Sequence, residues 1–122
     1  MSSSSILLIL LIHFLADFGL QTNDQATKKS SSNKFLAYHV AVYSAVWFFA
    51  SYGMLGSLKW ALAVASITFG SHFITDWATS RIGKPFWEKG DTHNGFVVVG
   101  FDQILHYAQL FLTFEWVFSK IL

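Results

Sequence analysis

Three histidine–aspartate pairs stand inside apolar stretches of this chain, each with its partners four residues apart. They are His13 with Asp17, His72 with Asp76 and, in reversed order, Asp102 with His106. A fourth histidine, His39, lies in a further apolar stretch. Residues four apart share one face of a helix, so each pair offers an imidazole and a carboxylate together. In hydrocarbon such groups are costly, by about 2.5–3.5 kcal/mol for a central Asp on insertion scales, and they face the protein interior. A divalent cation offsets that cost for several groups at once. Nitrogen and oxygen donors without sulfur suit zinc, manganese or iron(II). Seven donors exceed one tetrahedral site. They admit two metals, or one metal with the remaining groups orienting its imidazoles. Hydrogen bonds within a helix, polar cross-links between helices and a proton relay are the competing readings.

The elements that must position these groups are helices. Four apolar runs, at about residues 3–20, 35–55, 58–79 and 96–118, alternate with polar connections. Charged residues make up 12% of the chain and hydrophobic ones 53%, against roughly 25% charge in an ordinary soluble domain. The fold class expected is therefore all-α. The specific expectation is an antiparallel bundle of four transmembrane helices forming one integral membrane domain over residues 1–122. The net charge of +1 gives no argument for nucleic acid as a partner, and the absence of cysteine removes disulfides and thiolate metal sites. The first run lacks the basic flank and cleavage site of a signal peptide, so it reads as a membrane helix.

Of the eight Lys and Arg residues, Lys28, Lys29, Lys34, Arg81, Lys84 and Lys89 fall on one side of such a bundle. Lys59 and Lys120 fall on the other. This imbalance places the two long connections in the cytoplasm and both termini outside, as in a bacterial inner membrane. All seven metal candidates then fall in one layer near the cytoplasmic face. Glu115 lies at the far end, where Lys59 is a reasonable ion-pair partner. The connection at 81–95, with Gly83, Pro85 and Gly90, reads as a loop holding a short surface helix. His13–Phe14–Leu15 and Asp17 match His72–Phe73–Ile74 and Asp76, which suggests a weak repeat of two helical hairpins. Gln21, Gln103 and Gln109 lie within reach of the same layer, though ordinary interhelical amide contacts explain them as well. The tryptophans, Trp47 among them, read as boundary or lipid-facing residues.

Several segments together resemble the domain of unknown function 3307 family. They are His13-Phe-Leu-Ala-Asp-Phe-Gly-Leu-Gln-Thr22, Ala26-Thr-Lys-Lys29, His39, His72-Phe-Ile-Thr-Asp76 and Asp102-Gln-Ile-Leu-His106. The resemblance spans nearly the whole chain and implies a small bacterial or phage membrane protein. It marks the polar residues and implies no activity. A looser likeness is to membrane-bound proteins labelled metal-dependent hydrolases, which also carry His/Asp pairs on membrane helices.

Three functions compete. The first is a membrane-embedded metal-dependent hydrolase acting on a lipid or other membrane-bound substrate, with the metal held by a subset of His13, Asp17, His39, His72, Asp76, Asp102 and His106. The second is a metal or proton binding or transport module, assembled as a homo-oligomer. The third is a structural membrane protein stapled by these contacts.

Overall fold

The computed structural model describes residues 1–121, and those residues form an all-α protein. Helix α1 spans Ser3–Phe14 and runs directly into a π-helical turn, Leu15–Gly19. A short helix α2 covers Asn23–Lys28, and three long helices follow: α3 at Asn33–Leu55, α4 at Leu58–Glu88 and α5 at Thr92–Ile121. Helix α3 packs along α4, and α4 along α5. Helix α1, its π turn and α2 lie against α3. Tight turns make the successive long helices antiparallel. Gly56 ends α3 at φ 65°, and Gly90 lies in the turn after α4 at φ 74°. Both angles are left-handed, a conformation glycine adopts without steric cost.

Local sequence explains most helix ends. The Ser2 side chain accepts from the Ser5 N–H at the start of α1. The Ser57 side chain does the same for Trp60 at the start of α4. Thr22 and Gln25 form a reciprocal capping box at the start of α2, with bonds of 3.1 and 3.3 Å. That pattern, Thr-x-x-Gln, lies in the first polar connection.

The second connection differs more. Residues 81–88 are not a loop but the last two turns of α4, and Pro85 lies inside the helix. Proline removes one N–H donor, yet Pro85 is on the exposed side, where water can satisfy the carbonyl four residues back. The chain reverses only at residues 89–91. The two HxxxD segments are also not equivalent, because Asp17 sits in the π turn while Asp76 sits in regular helix.

The burial pattern is inverted relative to a water-soluble domain. Leu7, Phe49, Ile74, Phe96 and Leu112 are each at least 65% exposed. The interior holds all three His/Asp pairs together with Ser51, Thr68 and Thr113. Large exposed apolar surface combined with buried polar groups is the informative departure from the usual distribution. Helices α3 and α5 are long and apolar enough to cross a membrane. The apolar segment Ser3–Gly19 is shorter than such a span. In α4, Ser66, Ser71, His72 and Asp76 dilute an otherwise apolar stretch.

Two layers make up the interior. At one end Ile9, Trp47, Val64, Leu110, Phe114 and Val117 form an apolar core. Trp47 is fully buried there, with its ring centroid 5.6 Å from that of Phe114, so it is a core residue rather than a boundary one. Glu115 is exposed, and Lys59 lies over the Trp60 ring at 4.9 Å. Among the described residues no ion pair joins Lys59 to Glu115; the cation–π contact takes the place of the expected pair. The other end of the interior is polar.

Candidate metal centre

The polar layer is built from one stripe on each helix. On α3 the buried residues include His39, Tyr43 and Trp47, four apart. On α4 they include Thr68, His72, Asp76 and Thr79, and on α5 Asp102, His106 and Leu110. Helix α1 supplies His13, and its π turn supplies Asp17. A π turn inserts one extra residue into the helix, closed here by Leu20 N–H to Leu15 C=O at 2.9 Å.

Four atoms converge from three segments. Nε2 of His39 lies 2.9 Å from Asp17 Oδ1, 3.1 Å from His72 Nε2 and 3.3 Å from Asp76 Oδ2. Nε2 of His72 lies 3.2 Å from Asp76 Oδ2 and 3.5 Å from Asp17 Oδ1. Ligands about 2.0–2.1 Å from a tetrahedral ion stand about 3.3–3.4 Å apart, so these separations are those of a zinc-sized site. Hydrogen bonding alone satisfies the arrangement poorly. The single N–H that a neutral imidazole can place on His39 Nε2 faces three acceptors at once. These buried groups are positioned to hold a metal ion.

A second group shares members with the first. Nε2 of His106 lies 2.9 Å from Asp76 Oδ1 and 3.1 Å from Asp102 Oδ2. Asp17, Asp102 and His106 also offer ligand atoms within one ion's reach. The His72 and His106 rings stack at 4.1 Å with planes 12° apart.

His13 stands apart from both groups. Its Nε2 donates to Gln103 Oε1 and its Nδ1 accepts from the Tyr43 hydroxyl, each at 2.6 Å. Both ring nitrogens are therefore engaged, and the nearest carboxylate oxygen, Asp17 Oδ2, is 3.6 Å away. The tautomer follows from Gln103, whose amide nitrogen donates to Asp17 Oδ2 at 3.0 Å and to Asp102 Oδ2 at 3.1 Å. Its oxygen must then face the imidazole. Gln103 thus links His13 to two carboxylates, whereas Gln109 bonds to Thr68 and Thr113 outside this layer. His93 is exposed in the first turn of α5 and takes no part.

Three participants are not evident from the His/Asp pattern. Tyr43 and Thr79 carry a spacing signal, four residues after His39 and three after Asp76. The Thr79 hydroxyl donates to Asp102 Oδ1, which orients that carboxylate. Lys29 carries no such signal, because α2 returns it from the far side of the connection. Its Nζ donates to Asp76 Oδ2 at 3.2 Å and to Gln21 Oε1 at 3.1 Å. Burial disfavours the Lys29 ammonium, but the carboxylates of Asp76 and Asp17 outweigh it and hold its pKa above the ordinary lysine value.

A cavity of about 550 Å³ opens beside the cluster. Asp17, Asp76, Asp102 and Gln103 form its polar wall, and Phe18, Trp87, Val98 and Val99 form apolar walls. Trp87 is set by Gly95: a Cβ at that position would come within 2.7 Å of the indole.

No curated protein and no solved structure gives a significant match to this chain. Residues 6–121 match the model of the family described as "Protein of unknown function (DUF3307)", and the chain belongs to that family.

Proposed function

We propose that this protein is an integral membrane protein whose four apolar segments cross the bilayer, and that it uses a divalent metal ion, with zinc favoured over manganese or iron, as a metal-dependent hydrolase. The observation that carries the metal reading is the convergence of Asp17 Oδ1, His39 Nε2, His72 Nε2 and Asp76 Oδ2 at separations of 2.9–3.5 Å. These groups would hold the ion. His106 and Asp102 stand beside it, Gln103 and Thr79 orient Asp17 and Asp102, and Tyr43 holds His13. A bound ion would supply Lewis-acid activation of water and of the scissile group. The chain's own contribution is to fix the carboxylates, to hold the His13 ring between Tyr43 and Gln103 and to line an adjoining cavity. That cavity supports the enzymatic reading over a purely structural one, because catalytic metal sites keep access to substrate.

The membrane reading rests on the inverted burial pattern and the apolar helices. The orientation rests on the lysines and arginines near the metal layer, which favour a cytoplasmic location for that end. A lipid or other membrane-bound substrate fits a cavity with one polar and several apolar walls.

The test is metal analysis of protein purified in detergent, followed by chelation and reconstitution. Metal should co-purify, chelation should lower the melting temperature, and zinc, manganese or iron(II) should restore it. His39→Ala should lose the ion. Metal-free protein that is fully stable and binds none of these ions would overturn the proposal.

A further inference from the structure

Asp76 faces two ways. Its Oδ2 belongs to the group with His39 and His72, whereas its Oδ1 lies 2.9 Å from His106 Nε2. The same nitrogen lies 3.1 Å from Asp102 Oδ2. Asp17 belongs to both donor groups, with His39, His72 and Asp76 in one and with Asp102 and His106 in the other, and a shared carboxylate is the usual bridge between paired metal ions about 3.5–4 Å apart. The two groups differ in donor number: the inner has four protein donors and the outer three, which leaves an outer ion more room for a ligand, and Asp17 and Asp102 form part of the cavity wall. His39, His72 and His106 are all almost completely buried, and His106 Nε2 lies between Asp76 and Asp102.

Charge points to the ligand. With neutral imidazoles, Asp17, Asp76 and Asp102 against Lys29 leave this wall two charges negative, and Lys84 is offset by Glu88 at 3.9 Å. One divalent ion neutralises the wall, and a second makes it attract anions.

We infer that the centre is dinuclear: a second divalent ion, held by His106, Asp102 and the shared Asp17, faces the cavity and binds an oxyanion of the phosphate type beside Lys29. This rests on the metal-site reading above and adds to it the number of ions and the class of ligand. The phosphate can come from a lipid headgroup or be free in solution. Phe18, Val98 and Val99 supply a surface for an acyl chain only in the first case.

The test titrates Mn(II) into chelator-stripped wild-type protein in detergent and follows it by electron paramagnetic resonance. Two ions per chain and a spin-coupled pair signal are expected. Asp102→Asn and His106→Gln should each reduce the stoichiometry to one and abolish the coupling. Inorganic phosphate should perturb the spectrum of the two-ion form and not that of Asp102→Asn. Short-chain phosphatidic acid should do so at concentrations at least tenfold lower if the source is a lipid, and at equal concentration if it is free phosphate. One ion per chain in saturated wild-type protein would overturn the inference and leave the mononuclear reading standing, even if the variants failed to fold. Two ions that ignore Asp102→Asn would overturn it too, as would a two-ion form indifferent to both phosphates. No bound ion at all would remove both readings.

Discussion

Replacing Gln103 by leucine tests whether the polar layer is one connected network. The amide makes three contacts: it accepts from His13 Nε2 at 2.6 Å and donates to Asp17 and Asp102 at 3.0 and 3.1 Å. Bonds to charged groups are worth about 1.5–3 kcal/mol each in soluble proteins and neutral ones about 1. Interhelical hydrogen bonds within membranes average about 0.6 and reach about 1.7 kcal/mol. Asp17 retains His39 and Asp102 retains Thr79, so neither carboxylate is left without a donor. The membrane range therefore applies better, and three bonds give a loss of about 2–5 kcal/mol. Gln109→Leu removes contacts to two threonine hydroxyls at 3.2 and 2.9 Å and should cost about 1 kcal/mol. Unfolding of metal-free protein in dodecylmaltoside, titrated with dodecyl sulfate, measures both variants. Calorimetric titration of the same samples should show metal affinity falling 10- to 100-fold for Gln103→Leu, as for other groups that orient ligands, and staying unchanged for Gln109→Leu. Equal stability of the two variants would refute the network.

Other consequences can be checked separately. Gly95→Ala forces the Trp87 indole away from α5 and should destabilise the protein by about 1–3 kcal/mol, measured in the same unfolding assay. Single cysteines at Ser31 and Lys89, both exposed, should be shielded from an impermeant thiol reagent in intact cells; labelling of both would invert the orientation. Hydrogen bonds from the Asn94 side chain and backbone hold the Asp91 carboxyl below the ordinary aspartate range. A depressed folded pKa means that its stabilisation is present above the ordinary aspartate value and is lost as pH falls through the folded one. Protection of the first-turn amides of α5, measured as exchange relative to the intrinsic rate at each pH, should therefore fall on acidification, and unchanged protection would contradict that capping role.

The class of fold and most residues of the buried polar cluster are legible in the sequence. Apolar runs with few charges require helices, and a four-residue interval requires that each His and Asp share a face. Thr22 and Gln25 likewise encode their helix start locally. Tyr43 and Thr79 were legible in principle, because they continue the stripes begun by His39 and Asp76. Other features were decided only by tertiary structure. The last turns of α4 form despite Pro85 because packing of Gly83 against Val98 and of Trp87 against Gly95 outweighs one lost hydrogen bond. His13 has the same local pattern as His72, yet Tyr43 and Gln103 occupy both its nitrogens and withdraw it from the cluster. Lys29 reaches Asp76 across 47 residues of chain through α2. Spacing along a helix fixes which groups share a face, but which atoms meet across helices depends on axial register and rotation, and those are set by the packing of the whole chain.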